Sequence, residues 1–431
     1  MLHSNLSINE KGNLTIAGVD AVELAQKYGT PLYIMDEDKL RENCRKYVSS
    51  IKRHFGDDSY ALYASKALCF KGIYDIILQE DMNIDVVSSG EIYTAMKGGY
   101  PLERAYFHGN SKSDRDIEYA MECGIGHFVV DNFEELGRID AFAGKRGIKQ
   151  HVLLRLTPGI DSHTHKKIST GKVDSKFGVA IETGQALEFV RLALQQENLV
   201  VDGFHCHVGS QVFESVHYCD SADIMLGFMA QLKAEFGYKT NILDLGGGFG
   251  VKYTEKDVEM DYDKAIERIA NHIKKQCDDL GLDIPNIMLE PGRSIVADCG
   301  ITLYTVESVK QITGFKNYVA IDGGMTDNPR YTLYQSPYTV LVANKAAEDA
   351  TFTATIAGCC CESGDLIAED IRIQPAQRGD TLAVLSTGAY NYSMASNYNR
   401  IPRPPIVMVH DGKDYLAVRR ETFEDLIRCD I

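Results

Sequence analysis

The chain has 431 residues, of which 44% are hydrophobic and 25% are charged, a composition typical of a soluble globular protein with two or three domains. Its formal net charge of −16 argues against a nucleic-acid or membrane surface as the main partner. There is no apolar run long enough to span a membrane, no signal-peptide pattern and no CxxC pair among the eleven cysteines, so we expect a cytoplasmic protein with reduced thiols.

The N-terminal region combines a strand signal with a helix-like segment. The strand signal is GNLTIAGV at 12–19, and the helix-like segment is EDKLRENCRKYVSSIKRHF at 37–55. Because the helix separates this strand from the strands that follow, we expect the strand to pair with a C-terminal sheet. The domain that contains that sheet would then be discontinuous.

The middle of the chain alternates short apolar runs with amphipathic segments such as FEELGRIDAFAGKRG. Buried parallel strands are typically near-continuous apolar runs. Eight such runs predict a (β/α)8 TIM-like barrel, which we assign to 37–298. The runs are SYALYASKA (59–67), NIDVVSS (83–89), RAYFHGN (104–110), HFVVD (127–131), HVLLRLTP (151–158), VVDGFHCHVG (200–209), NILDLGGG (241–248) and NIMLEPG (286–292).

The pattern changes after about residue 300, where short β-rich runs such as YTVLVAN, TFTATIAG and PPIVMV are separated by turn residues. This spacing predicts a mainly antiparallel β domain made of 299–431 together with 1–36.

Function in a barrel of this kind lies at the carboxyl ends of the strands. The first strand ends at Lys66. A single lysine is most often a rim residue with its ammonium in solvent. The functional alternative is a desolvated amine of lowered pKa that forms a Schiff base. Lys66 by itself does not decide between the two.

Two other strand ends indicate phosphate binding. LDLGGGFG (243–250) places three glycines in a row, more than a tight turn requires, and glycine lets backbone N–H groups approach an anion. LEPGRS (289–294) follows the eighth strand, and phosphate sites often form from the loops after strands seven and eight. Glu290 would repel a phosphate, so we expect it to face a cationic part of the same ligand, such as a protonated pyridine nitrogen.

FHCHVGSQ (204–211) places His205 and His207 on one face of a strand. This spacing is compatible with a zinc site, with one imidazole stacked on an aromatic cofactor, and with the commoner case of a hydrogen-bonded histidine in the core. An imine-forming lysine, a glycine cradle, a carboxylate for a ring nitrogen and an imidazole for a ring face together predict pyridoxal 5'-phosphate as the cofactor.

The motifs YASKA, HVGSQ, GGGFG and EPGR resemble those of the alanine-racemase-like class of pyridoxal-phosphate-dependent decarboxylases. In the C-terminal half, DGGMTDNPRYTLY (322–334), CESGD (361–365) and GAYNYSMASNYNRIPRP (388–404) resemble the diaminopimelate decarboxylases of that class. The resemblance covers nearly the whole chain. It implies α-decarboxylation of meso-2,6-diaminopimelate to L-lysine and CO2, the last step of lysine biosynthesis.

The resemblance also implies a role for each matching residue at the cofactor. Lys66 forms the Schiff base and His207 stacks on the pyridine ring. Glu290 contacts the ring nitrogen. The phosphate is held by Ser210 and by the loop that contains Gly246, Gly247 and Gly248, together with Gly292, Arg293 and Tyr390.

For the substrate, the resemblance implies that Arg293, Arg330, Tyr334 and Tyr390 bind the amino-acid end that does not react. Glu362 pairs with the distal amino group, and Cys361 donates the proton that replaces CO2. Cys361 and Glu362 serve the neighbouring subunit in this family, so the active unit would be a homodimer.

Three features depart from the family pattern: Leu68 stands in place of an asparagine, His205 is not required by the family, and Cys359 and Cys360 precede Cys361. The two extra cysteines are either a site of oxidation or a pair of buried small hydrophobic residues. The open alternatives are a metal-dependent hydrolase built on His205 and His207, a non-enzymatic cofactor carrier, and a decarboxylase for another basic amino acid.

Overall fold

The computed structural model describes residues 2–159 and 175–431. The chain divides into two compact units. The barrel unit comprises Cys44–Gly250 and Met260–Gly292, and the β unit comprises Met1–Asn43, Val251–Glu259 and Arg293–Ile431. The short excursion Val251–Glu259 is tied to the β unit by Thr339, which donates its hydroxyl to the carbonyl oxygen of Tyr253 over 2.9 Å.

The N-terminal segment corrects one prediction. The strands β1 (Leu6–Ile8), β2 (Leu14–Ile16) and β3 (Val19–Asp20) form their own antiparallel sheet, because the chain reverses at Ala17 and Gly18, both at positive φ. GNLTIAGV therefore does not pair with the C-terminal sheet. After helix α1 (Ala21–Tyr28), the fully buried strand β4 (Leu32–Asp36) joins that sheet instead, and helix α2 (Glu37–Phe55) follows.

The barrel unit contains a closed ring of eight parallel strands, as predicted. The ring runs β5, β6, β7, β8, β9, β11, β12, β13 and back to β5, and the two-residue β10 adds to the edge of β9. The strands are β5 (Tyr60–Ala64), β6 (Asn83–Val86), β7 (Ala105–Phe107), β8 (His127–Val130), β9 (Gln150–Thr157), β10 (Val179–Ala180), β11 (Leu199–His205), β12 (Ile242–Asp244) and β13 (Asn286–Leu289).

Helices alternate with the strands, and several begin at a side-chain cap and end at a glycine. Asn132 caps α6 and Asp261 caps α9, each by accepting a backbone N–H, and Gly147 and Gly281 end these helices at positive φ. The helices are α3 (Lys71–Gln79), α4 (Ser89–Lys97), α5 (Asp114–Glu122), α6 (Phe133–Arg146), α7 (Gln185–Ala193), α8 (Val216–Phe236) and α9 (Tyr262–Leu280).

Apolar side chains that point to the barrel axis fill its interior, among them Leu62, Val129, Leu153 and Met288, each fully buried or nearly so. Because successive strand residues face opposite sides, the residues two positions further along each strand lie on the same interior side. This alternation brings polar side chains together at the strand ends.

The β unit is built on a mainly antiparallel sheet in the order β18-β17-β15-β14-β4-β20-β21, in which β19 also pairs with β14 and β16 pairs with β19. Leu14 and Ile16 of the N-terminal sheet pack in the same core as Ile301 and Leu303 of β14. The elements are α10 (Arg293–Val296), β14 (Gly300–Ile312), β15 (Lys316–Ile321), α11 (Arg330–Tyr334), β16 (Val340–Val342), β17 (Phe352–Ala357), β18 (Leu366–Ile373), β19 (Thr381–Leu385), β20 (Ile406–His410), β21 (Lys413–Val418) and α12 (Phe423–Ile427).

Over the described ranges, every helix is too short or too polar to cross a membrane.

Candidate active site

Lys66 stands directly after β5, in a single 3-10 turn that spans Ser65–Ala67. The phenol of Tyr63 fixes this turn by donating to the carbonyl oxygen of Leu68 over 2.8 Å. The Lys66 side chain is exposed in the single chain, and the choice between a rim lysine and a Schiff-base amine stays a prediction. Lys66 lies at the carboxyl end of the first barrel strand, where the sequence predicted it.

A buried group of imidazoles and carboxylates lies at the barrel centre. Glu290 follows β13 and is 5% exposed. Its Oε1 lies 2.8 Å from Nε2 of His108, and its Oε2 lies 3.3 Å from Nε2 of His205. The two imidazole rings meet edge to face with centroids 4.8 Å apart. Each carboxylate oxygen of Glu290 therefore lies close to a ring nitrogen of one imidazole.

The electrostatics of this group keep Glu290 ionised. Burial alone raises the pKa of Glu290, but His108 and His205 outweigh burial and hold it well below its usual value. Burial lowers the pKa of His205 to about 3, so this ring is neutral and donates its Nε2–H to Glu290. A buried, ionised carboxylate stabilises the positive charge of a protonated ring nitrogen placed beside it.

Two buried acids at this site were missed by the sequence reasoning. Burial and then Glu290 raise the pKa of Asp244 well above its usual value, and its Oδ1 accepts the N–H of Gly246 over 2.8 Å. Asp85 is 1% exposed, and both of its oxygens lack a hydrogen-bond partner among the described residues. Burial raises the pKa of Asp85, and the opposing effects of His108 and Lys66 offset this rise only in part. An acid inside an otherwise apolar run, as in NIDVV and NILDL, was the available signal.

His207 lies just beyond β11 and packs on the glycine loop. Burial, and then the charges of Lys66 and Arg155, lower its pKa well below the usual value, so the ring is neutral. A Cβ on Gly246 would lie 2.6 Å from Nδ1 of His207, so only glycine admits the imidazole at this place. His205 joins the buried cluster with His108, Asp244 and Glu290, whose potential ligand atoms lie within 4.8 Å of one another, and His207 does not belong to this group. The paired-histidine zinc site is therefore not formed by the described residues.

Close backbone approach explains the remaining glycines. A Cβ on Gly247 would lie 2.0 Å from the carbonyl oxygen of Glu290, and Gly248, at φ +103°, would place its Cβ 2.2 Å from the carbonyl oxygen of Gly209. Within the described residues, the amide groups of Gly247 and Gly248 donate to no protein acceptor. Strand packing thus requires these glycines, and it leaves their N–H groups able to bind an anion. Ser210 follows Gly209 and is half-buried beside this loop.

The loop after β13 lies against the turn that contains Lys66. A Cβ on Gly292 would lie 2.8 Å from Cβ of Ala64 and 3.1 Å from Cβ of Ala67. The N–H of Ala64 donates to the carbonyl oxygen of Pro291 over 3.1 Å. The EPG segment and the lysine turn are therefore neighbours within the barrel unit, as their positions on adjacent strands require.

The β unit contains a buried cluster of arginine and tyrosine. Arg293 and Arg330 are each 6% exposed. The guanidinium carbons lie 4.8 Å and 5.2 Å, respectively, from the ring centroid of Tyr390, and Arg293 donates to the hydroxyl of Tyr253 over 2.8 Å. Arg330 also lies 5.3 Å from the ring of Tyr334 and has no carboxylate partner in the described part of the chain. A buried arginine without a carboxylate partner, here Arg330, forms a site for an anion.

Cys361 and Glu362 lie on an exposed loop after β17. The N–H of Cys361 donates to Oδ1 of Asn399 over 2.8 Å, and Asp365 holds the base of the loop by accepting the N–H of Cys360 over 2.7 Å. Cys360 is buried and Cys359 is exposed, so the interpretation of two buried small residues fits Cys360 alone. Both Cys361 and Glu362 are exposed in the single chain.

Most of the barrel sequence is similar to one class of enzymes. Residues 38–297 match the model of the pyridoxal-binding domain of pyridoxal-dependent decarboxylases. Over 430 residues, 100% of this chain and 98% of the relative, the sequence is 44% identical to diaminopimelate decarboxylase of Bacillus subtilis. It is 42% identical to the Staphylococcus aureus enzyme of the same name, over 97% of this chain and 98% of that protein.

Solved structures agree with the sequences. The diaminopimelate decarboxylase of M. jannaschii in complex with L-lysine has a TM-score of 0.91 and 34% identity, covering 100% of this chain and 98% of that one. The chain belongs to the diaminopimelate decarboxylase family. The predictions of the fold class, the enzyme class and the pyridoxal 5'-phosphate cofactor are confirmed.

Proposed function

We propose that this enzyme removes the α-carboxylate of meso-2,6-diaminopimelate at its D-centre and releases L-lysine and CO2. The full-length similarity to enzymes named for this substrate supports the assignment, as does the L-lysine bound in the M. jannaschii relative. We also propose that the reaction is the last step of lysine biosynthesis and takes place in the cytoplasm.

The residues at the barrel centre fit pyridoxal 5'-phosphate. Lys66 is the amine that would hold its aldehyde, and Glu290 is the ionised carboxylate that would face its ring nitrogen. The amide groups of Gly247 and Gly248 would bind its phosphate, together with Ser210 and Gly292. When bound, the cofactor supplies an electron sink for the pair left by the departing carboxylate.

The histidine rings of this site would orient the cofactor and the Glu290 carboxylate. His207 would lie on the face of the pyridine ring, and its low pKa keeps it uncharged beside a cationic heterocycle. His108 lies 2.8 Å from one oxygen of Glu290, and His205 is hydrogen-bonded to the other. A carboxylate contacted on both oxygens keeps its charge directed at one position, which favours the protonated ring nitrogen.

Recognition of the distal end of the substrate requires a carboxylate binder and an amine binder. We assign the first role to Arg293, Arg330, Tyr334 and Tyr390, because planar guanidinium groups bind carboxylates bidentately. We assign the second role to Glu362. A diamino acid with a single carboxylate, such as ornithine, lacks the distal carboxylate and would leave Arg330 without an anionic partner.

We further propose that Cys361 donates the proton that replaces CO2, and that Cys361 and Glu362 act in the site of a neighbouring subunit. Their exposure in the single chain supports this assignment, since a proton donor normally works in a water-excluded site. On this proposal, the barrel residues 37–298 bind the cofactor. The residues of the β domain, 1–36 together with 299–431, contribute to substrate binding and to the dimer interface.

Product analysis tests the proposed function. Purified enzyme supplied with pyridoxal 5'-phosphate is incubated in parallel with meso-diaminopimelate and with ornithine, and the amino acids and CO2 are measured. We expect equal amounts of L-lysine and CO2 from the first substrate and little product from the second. Faster release of CO2 from ornithine would overturn the substrate assignment.

A further inference from the structure

A second group of chemically active side chains lies at the opposite end of the barrel from Lys66. His127 is the first residue of β8, His151 is the second residue of β9, and Asp202 belongs to β11. Oδ2 of Asp202 lies 2.7 Å from Nδ1 of His151 and 3.1 Å from Nε2 of His127. All three potential ligand atoms lie within 4.8 Å of one another.

Strand register brings these residues together. His127 is paired directly with His151 on neighbouring parallel strands. The two histidines stand two positions before Val129 and Leu153, which face the barrel interior, so both rings point to the same side. Asp202 lies where the register of β11 shifts between Val201 and Gly203, and such a bulge re-aims a side chain.

We propose that His127, His151 and Asp202 bind a divalent transition-metal ion of the zinc type. Two imidazole nitrogens and one carboxylate oxygen are the donor set of many zinc sites, with water at the fourth position. Tetrahedral coordination needs ligand atoms about 3.3 Å apart. The observed separations of 2.7 and 3.1 Å from Asp202 require only small rotations of the side chains.

The surroundings of the cluster allow the ion to enter and hold one of the ligands in place. The His151 side chain is 51% exposed, whereas that of Asp202 is 13% exposed. The ring of Tyr106 stacks on His127 at 4.4 Å with an interplanar angle of 10°, which holds this imidazole in one orientation.

One feature limits the affinity. Nδ1 of His127 is buried and has no hydrogen-bond partner among the described residues. With the ion on Nε2, this nitrogen would have to carry the proton without an acceptor, whereas metal-bound histidines normally donate their second N–H. We therefore expect zinc to bind exchangeably rather than as a permanent structural ion.

The experiment is a zinc titration of untagged holoenzyme by calorimetry and thermal denaturation, repeated with Co2+ as a spectroscopic probe. The variants are His151→Ala and Asp202→Asn. The matched control is His272→Ala, which removes a different histidine, one that is hydrogen-bonded to Asp223 over 2.6 Å. Zinc bound at the exposed cysteines is common to all variants and cancels in the comparison.

We expect the wild type and His272→Ala to bind one zinc equivalent more than His151→Ala and Asp202→Asn, and to show the rise in Tm that this zinc causes. The Co2+ spectrum lost with these variants should show nitrogen and oxygen ligands without sulfur. Equal zinc stoichiometry in the wild type and both cluster variants would overturn the proposal and leave the cluster as two histidines hydrogen-bonded to one carboxylate. Because the site is remote from Lys66, turnover of diaminopimelate should be the same in all four proteins.

Discussion

Nε2 of His108 lies 2.8 Å from Oε1 of Glu290 at the buried centre of the barrel. With His205 on the other oxygen, this contact keeps the pKa of Glu290 well below its usual value despite burial. The electron sink of the cofactor depends on the ring nitrogen that this carboxylate would face.

The first prediction therefore concerns Glu290→Gln. An amide cannot hold a proton on the ring nitrogen by charge, so we expect kcat to fall by about 10²-fold. The Schiff base on Lys66 should still form, and borohydride should still trap it. Glu267→Gln, on the exposed face of α9, serves as the control. If Glu290→Gln kept the kcat of the wild type, the role proposed for Glu290 would be wrong.

The second prediction concerns Arg330→Lys. Lysine keeps the charge but loses the planar fork that suits a carboxylate. Loss of a charge-assisted hydrogen bond costs about 1.5–3 kcal/mol, so we expect kcat/KM for diaminopimelate to fall about 10- to 100-fold, mainly through KM. Steady-state kinetics measure this. The control is Arg372→Lys, an exposed arginine on β18, which should behave as the wild type.

The third prediction is a pH dependence of stability. Burial raises the pKa of Glu91 from 4.5 to about 7, while the N–H of Val87 donates to its Oε2 over 2.8 Å. Between these two values the folded state binds more protons than the unfolded state, so the free energy of unfolding falls as pH rises from 4.5 to about 7.

In Glu91→Gln this dependence should be absent, because the amide does not titrate. We expect the variant to gain up to about 3 kcal/mol relative to the wild type at pH values above this window, and nothing below it. Urea unfolding at a series of pH values measures the difference. Parallel curves for the two proteins at all pH values would contradict the raised pKa.

Much of this architecture could be predicted from the sequence. All eight barrel strands were found because buried parallel strands are continuous apolar runs, and their ends located Lys66, His207, the glycine loop and Glu290. Asp85 and Asp244 were missed, because a single acid within an apolar run signals its role only once the neighbouring strands are in place. GNLTIAGV was misassigned, because a strand signal does not specify which partner the strand pairs with.

The fourth prediction concerns the shared site. Chains with Lys66→Ala and chains with Cys361→Ala should each be inactive alone, and they should recover activity after subunits exchange. A random mixture of two inactive chains can restore one intact site in each mixed dimer, so we expect about one quarter of wild-type activity if all subunits exchange and form dimers. Exchange is verified by mass spectrometry of the native dimers. Mixed dimers without activity would contradict the shared site.

The fifth prediction tests the central claim, that Lys66 holds the cofactor. Holoenzyme is reduced with borohydride and digested, and the peptide that contains the phosphopyridoxyl group is sequenced by mass spectrometry. We predict a single adduct on Lys66, and its loss in Lys66→Ala together with all turnover. An adduct on another lysine, or turnover that survives the substitution, would contradict the account.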